Sequence, residues 1–357
     1  MSLVSRRGAL GAALASTAAL AAPAIAQGRR EWRLVTSWPK NLPGPGVTAQ
    51  RLADRIATLS DGRLTLRLFP AGELVPALEV FDAVTSGAAE AAHTASLYWQ
   101  GKVPAAVFYT TVPFGLLPSE HLAWLEQGGG QALWDELYAP FGIKPFVGGN
   151  TGPSMGGWFP KPLASVEDLR GLKIRVQGLG GEVFRRLGAT PVSIPAGELS
   201  MALSSGVIDA VEFLSPSSDL AVGLQRSAKN YYWPGFNKPN GASELLVSKR
   251  EWEALPKDLA AIVEHACKTE HAFALGEIQR MNEEAYAALL RDHGVKSVPF
   301  PPDLVARARS VAAEIVAELG TATPIAGRVL ESYSRARERS GPWSAVSLEA
   351  FLDAREA

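Results

Sequence analysis

The chain has 357 residues, is 47% hydrophobic and 20% charged, and carries 35 basic against 36 acidic side chains, a formal charge of −1. A single small module is excluded, because one hydrophobic core stops growing at roughly 250 to 300 residues. The even balance excludes a broadly basic nucleic-acid surface, and the composition is too apolar for a disordered chain. One cysteine, Cys267, makes no internal disulfide and builds no thiolate cage by itself; it reads as a small buried hydrophobe.

The chain opens with Arg6 and Arg7, continues through an alanine-rich apolar run, and reaches Pro23-Ala24-Ile25-Ala26. A charged start, a short apolar middle and a small-x-small end predict a cleavable export signal over residues 1–26. The paired arginines ahead of a weakly apolar run point to the twin-arginine type, which exports folded cargo. Cleavage after Ala26 removes two arginines and no acid, taking the charge from −1 to −3. No later segment supplies the roughly 20 apolar residues of a membrane span.

From Glu31 strand-like and helix-like pieces alternate. Trp32 to Trp38 reads as a strand closed by Pro39, and Gly46 to Ser60 as a helix with Val47, Leu52, Ile56 and Leu59 on one side. Arg63 to Phe69 alternates as a half-buried strand, Glu73 to Thr85 reads as a helix, and Ala89 to Ser96 as a short buried strand. The rhythm restarts after Gly148-Gly149-Asn150-Thr151-Gly152, with strands at Lys173 to Val176, Pro191 to Ile194 and Ala210 to Phe213, and helices at Gly181 to Leu187 and Glu198 to Ser205. Such a βαβα order predicts mainly parallel sheets covered by helices. Two successive units predict two lobes with a ligand cleft between them. Glu251 to Leu290 forms a long amphipathic stretch, able to brace both lobes; Asp303 to Leu319 and Ser347 to Arg355 read as further helices.

Catalytic and metal motifs find little support. Gly178-Leu179-Gly180-Gly181 lacks dinucleotide spacing and reads as a tight strand-to-helix turn. His265 and His271 stand six apart, on different helix faces, H-E-x-x-H does not occur, and Gly152-Pro153-Ser154-Met155-Gly156 matches G-x-S-x-G in its letters alone, within a glycine-rich segment. The enzyme reading is left without nucleophile, base or cofactor motif.

Several segments carry a specific resemblance. They are Leu34-Val35-Thr36-Ser37-Trp38-Pro39-Lys40, Ser96-Leu97-Tyr98-Trp99-Gln100-Gly101-Lys102, Met155-Gly156-Gly157-Trp158-Phe159 and Asp168-Leu169-Arg170-Gly171-Leu172-Lys173-Ile174-Arg175. Gly206 to Phe213 and Tyr231-Tyr232-Trp233-Pro234-Gly235-Phe236 continue it. Over the whole mature length the chain resembles the DctP-type solute receptors of TRAP transporters, and most of all their 2-oxoacid and lactate group. The resemblance implies an α/β, two-lobed periplasmic binding fold with mixed, mostly parallel sheets, crossing hinge segments and a long helix spanning both lobes. Residues 27–150 plus about 238–280 would form the first lobe, and 151–237 plus about 281–357 the second. It also implies a non-enzymatic, exported receptor that delivers an organic acid, a 2-oxo or 2-hydroxy monocarboxylate, to a small and a large integral membrane protein; the charge balance speaks against a nucleic-acid partner, and the helix Ser347 to Arg355 is a candidate homodimer element or a surface helix.

The selective arginine of such receptors maps onto Arg175. Strand alternation turns Ile174 and Val176 to one face and Arg175 to the other, and a guanidinium can clamp a carboxylate through two parallel charge-assisted bonds. Glu212 and Phe213 fall where 2-oxoacid receptors place a residue pair at ligand and metal, making Glu212 the candidate ligand of a sodium or calcium ion. Tyr98 and Trp99, with Phe213 and Phe236, are candidates for an aromatic wall. Two departures weaken the expected oxygen cage: Ser154 stands where metal-assisted relatives have glutamine, and Asn237 and Lys238 stand where they have an acid. No cofactor is therefore required, and Lys238 is a candidate source of the missing positive charge. The alternatives are a secreted α/β enzyme acting on small acids and a sensory ligand-binding receptor.

Overall fold

The computed structural model describes residues 28–356; the expected signal at 1–26 lies outside them. The strands are β1 (Arg30–Thr36), β2 (Leu64–Phe69), β3 (Ala91–Thr94), β4 (Ile143–Asn150), β5 (Gly157–Phe159), β6 (Lys173–Arg175), β7 (Thr190–Val192), β8 (Ala210–Val211), β9 (Asn230–Trp233), β10 (Ala242–Ser248) and β11 (Lys296–Pro299). They form two sheets, ordered β2-β1-β3-β10-β4 and β11-β9-β5-β8-β6-β7. Within the first, β1, β2 and β3 run parallel, as the βαβα rhythm requires, whereas β10 runs antiparallel to both β3 and β4. The second is likewise mixed, β5 pairing antiparallel with β8 and β9. The sheets are thus mixed and mostly parallel, as the resemblance implies; the reversals arise where the chain passes between sheets, a long-range event that the local βαβα rhythm does not encode.

Three segments connect the sheets. Residues 151–156 lead from β4 to β5, and 234–241 return from β9 to β10. These two run against each other: Thr151 N donates to Gly241 O at 3.0 Å, and Ser154 N to Lys238 O at 2.9 Å. The approach is so close that a Cβ on Gly235 would lie 1.8 Å from Ser154 O, and one on Gly241 2.0 Å from Thr151 Oγ1. Only glycine fits at either position.

The third connection is the helix Lys257–Asp292, about 54 Å long at 1.5 Å per residue. Leu259, Val263, Ala266 and Cys267 on its first half pack with Leu34, Leu52, Phe146 and Leu245 around the first sheet. Leu289 near its end packs with Trp158, Val211 and Tyr231 of the second. Glu270, fully buried, accepts from Arg51 Nε at 2.8 Å and Arg55 Nη2 at 3.2 Å on the helix Pro45–Leu59, and Asn282 Oδ1 accepts from Ser217 N and Oγ. Cys267 is buried as expected, and burial pushes its thiol pKa up, so it stays protonated.

Other local expectations shift. The helix placed at Glu73 to Thr85 forms only over Val80–Thr85, since Pro70, Gly72 and Pro76 keep the preceding residues in turns. Strand β8 stops at Val211, so Glu212 and Phe213 leave the ladder. Three unanticipated helices, Pro118–Gln127, Gly130–Tyr138 and Pro324–Ser344, pack together: Trp124 Nε1 donates to Ser332 Oγ at 3.1 Å, Leu116 N to Tyr333 Oη at 2.8 Å, and Arg328 pairs with Glu136.

Removing one member of a buried ion network leaves the other charges uncompensated. Glu270→Ala is expected to lower the unfolding free energy by about 3 kcal/mol in urea titration. An unchanged midpoint would show that the Arg51–Glu270–Arg55 network does not fasten the long helix.

Candidate functional site

Parallel strands expose their carboxyl ends on one edge, and ligands of open α/β sheets bind in the crevice there. Here the carboxyl ends of both sheets meet. Just past β1 lies Trp38; past β3 lie Ala95, Leu97 and Tyr98; past β4 lies Thr151; past β6 lies Gln177; past β8 lie Phe213 and Leu214. Together with Arg175, Lys238 and the start of β10, these residues line one cavity of about 430 Å³ of atom-free space.

Arg175 is the last residue of β6 and is 1% exposed. Ile174 and Val176 turn into the core, as alternation predicted. Arg175 Nε donates to Ile194 O at 3.0 Å and Nη1 to Glu212 O at 2.8 Å, while the guanidinium carbon lies 5.4 Å from the Phe213 ring centre. Two carbonyls thus lock the planar fork, and its other edge meets Tyr98, whose phenol pKa burial raises and Arg175 pulls back. Among the described residues no acidic side chain forms an ion pair with Arg175. A guanidinium so desolvated, with no carboxylate in contact, is suited to receive an anion from outside the chain.

Beside it stands a second buried charge system. Lys238 Nζ lies 2.7 Å from Glu212 Oε1 and donates to the carbonyl of Phe213; the two side chains are 6% and 0% exposed. Burial is the largest influence on both, raising the pKa of Glu212 and lowering that of Lys238, and their pairing opposes both shifts. Behind them Asp219, its pKa raised by burial, accepts from Trp158 Nε1 at 2.8 Å, Tyr231 Oη at 2.7 Å and Leu214 N at 3.1 Å. Of the buried cations facing the cavity, Arg175 alone lacks a carboxylate in contact.

The expected residues separate into two groups. Arg175, Phe213, Tyr98 and Lys238 line the cavity, and Glu212 reaches it through Lys238. Trp99 turns the other way, stacking on Phe81 at 4.8 Å between ring centres and donating to Tyr138 Oη at 3.1 Å. Phe236 packs in the core against Phe114 and Phe300. Ser154 and Asn237 are buried in the crossing segments, with Ser154 Oγ and both amide atoms of Asn237 lacking a protein partner; Asn237 lies over Gly180, where a Cβ would come within 3.0 Å of its Cγ. Trp38, Thr151 and Gln177 were missed. Their signal was positional: they lie one or two residues beyond the ends of β1, β4 and β6, though β4 was not anticipated and Trp38 was placed inside the first strand.

Trp38 is held by His93, whose Nδ1 accepts the indole N–H at 2.8 Å and whose Nε2 donates to Gly148 O at 3.3 Å. This bonding requires a neutral imidazole, and burial lowers its pKa to about 4.

Hard cations seek several oxygen donors. Among the described residues no cluster of three or more His, Cys, Asp or Glu side chains occurs, and Glu212 Oε1 and the Phe213 carbonyl oxygen both face the Lys238 ammonium. These residues do not fit a sodium or calcium ion while Lys238 holds that position.

A cleft lined from two sheets and walled by a buried guanidinium has the architecture of a ligand-binding site. Residues 35–322 match the model of the DctP family, described as bacterial extracellular solute-binding protein, family 7, and the chain belongs to that family of transport receptors, which are not enzymes. A monocarboxylate 2-oxoacid-binding periplasmic protein of a Nostoc species is 40% identical over 316 residues, covering 88% of this chain and 86% of its own. A TRAP transporter solute-binding protein of Bordetella bronchiseptica, solved with calcium and picolinate, is 34% identical with a TM-score of 0.89, covering 92% of this chain and 97% of its own. A TRAP periplasmic solute-binding protein of Pseudoalteromonas atlantica, solved with sodium and pyruvate, is 37% identical with a TM-score of 0.88, covering 91% and 99%. Among the described residues no helix is long and apolar enough to cross a membrane.

An unfolded imidazole takes a proton near pH 6.5, whereas His93 and the similarly buried His121 take one only near pH 4. Protonation therefore favours the unfolded chain, so this stability is complete above about pH 6.5 and is lost as pH falls toward 4. Each histidine accounts for about 3 kcal/mol of that loss. Urea titrations across the range are expected to fall less steeply for His93→Gln than for wild type; parallel curves would rule the assignment out.

Proposed function

We propose that the protein captures a 2-oxo or 2-hydroxy monocarboxylate in the periplasm, with Arg175 as the carboxylate clamp, and hands it to the small and large membrane subunits of a TRAP transporter. The observation that carries this reading is the Arg175 guanidinium, buried, locked on two carbonyls, open to the cavity and free of any acidic contact. A ligand carboxylate supplies the missing anion through two charge-assisted bonds. Picolinate and pyruvate, held by the two solved relatives, share one pattern: a carboxylate with a lone-pair acceptor on the adjacent carbon. The cavity's lining of Trp38, Leu97, Tyr98 and Phe213 suits a short apolar remainder. Export on the residue 1–26 signal, with cleavage after Ala26, belongs to the same reading.

The lobes of this receptor follow the two sheets, hinged at 151–156 and 234–241, with the helix Pro324–Ser344 riding on the first lobe through Trp124, Leu116 and Glu136. Trp343, Val346 and Phe351 stand 70%, 66% and 62% exposed on the last helical segments. Such an apolar run seeks cover, and a second copy of this chain is the proposed occupant, in line with the dimer formed by the Bordetella relative.

Lysine cannot reproduce a planar two-pronged clamp. Arg175→Lys is therefore expected to weaken pyruvate binding about a hundredfold in calorimetric titration while leaving the circular dichroism spectrum intact. Equal affinity in a folded variant would overturn the clamp. In light scattering, Trp343→Glu with Phe351→Glu is expected to convert a dimer to a monomer; a monomeric wild type would dismiss the dimer.

A further inference from the structure

The relatives solved with picolinate or pyruvate also hold calcium or sodium, and the resemblance makes Glu212 the metal ligand, yet in this chain Glu212 Oε1 and the Phe213 carbonyl oxygen meet one of the chain's own side chains. We propose that the Lys238 ammonium replaces the metal ion, so that this receptor binds its 2-oxo acid without any bound cation. The inference rests on the Arg175 reading above and extends it to the second half of the ligand.

The chemistry follows from the inventory of donors. An ammonium has three N–H groups and no acceptor. One faces Glu212 Oε1 at 2.7 Å and a second goes to the carbonyl of Phe213. Lys238 also lines the cavity with Arg175, which leaves the third N–H for the ligand. Arg175 then takes the carboxylate, while Lys238 takes the oxygen on the neighbouring carbon. A metal ion accepts the same two ligand atoms at once, which is why a carboxylate with an adjacent lone pair suits either arrangement.

Charge and position support the substitution. Glu212 is fully buried, and a buried carboxylate must be neutralised. In a metal site the cation does this; here Lys238 does, and the pair adds no net charge to the cavity. The ammonium is also held from behind. Lys238 O accepts from Ser154 N at 2.9 Å, and Lys238 N donates to Gly235 O at 3.0 Å, so its backbone belongs to the crossing segments themselves. A side chain anchored at the hinge can meet a ligand fixed on β6 as the cleft shuts.

The test is calorimetric titration of pyruvate, longer 2-oxo monocarboxylates and picolinate into protein dialysed against a chelator in sodium-free buffer, then repeated with calcium or sodium restored. Affinity is expected to agree within about twofold across the three buffers. A loss of about tenfold or more in chelator, recovered with either cation, overturns the proposal while leaving the Arg175 reading intact. Binding of none of these acids in any buffer overturns both.

Lys238→Gln frees the oxygens of Glu212 and Phe213. It is expected to lose about tenfold or more in chelator and to regain affinity when calcium is added, with circular dichroism reporting the fold. Wild-type affinity in chelator refutes the role of Lys238. Should the single variant fail to fold because Glu212 is left uncompensated, Glu212→Gln with Lys238→Gln removes both charges, and the same loss in chelator is expected.

Discussion

A guanidinium shut away from water without an acidic partner is the interaction on which the rest of this molecule depends. Burying an unpaired charge is among the costliest things a fold can do. The protein offsets it with Ile194 O and Glu212 O, and it lays the Phe213 ring beside the cation. What remains is a directed demand for an anion at one place. In the proposed reading, ligand affinity and selectivity both follow from that demand, since a neutral molecule of similar shape leaves the guanidinium unanswered.

The surrounding fold keeps that demand from being met internally. Asp219 and Glu212 are close enough to influence one another and Lys238. Each is nevertheless committed elsewhere, Asp219 to Trp158, Tyr231 and Leu214, and Glu212 to Lys238. The crossing segments make this sorting possible. Gly235 and Gly241 let two backbones run almost in contact, which carries Lys238 beneath β8 and sets the carboxyl ends of both sheets against each other. The long helix Lys257–Asp292 then ties the two cores through a packed face and the Glu270 network.

Parts of the site were legible along the chain and parts were not. Arg175, Glu212 and Phe213 stood out through the family resemblance, and for Arg175 strand alternation agreed, since an arginine between two core residues turns to the other face. Tyr98 and Trp99 could not be told apart in this way. They sit in a single turn of 3₁₀ helix, Ser96–Trp99, where neighbours point in directions set by packing; Phe81 and Tyr138 claimed Trp99, leaving Tyr98 to the cavity. The helices at 118–138 and 324–344 also escaped, because each buries its apolar side against the other and against Tyr109 and Phe108, partners far off in the chain.

By itself the sequence determined the alternation of strands and helices and the turn of Arg175 away from Ile174 and Val176, both consequences of local periodicity. Only the tertiary structure decided which charges meet. Contact between Glu212 and Lys238, 26 positions apart, depends on the paths of two crossing segments held by backbone hydrogen bonds and by glycines with no room for a side chain. Whether a lysine is a surface charge or a buried stand-in for a metal ion is therefore a property of the fold, because desolvation and a 2.7 Å neighbour exist only once distant strands are brought together.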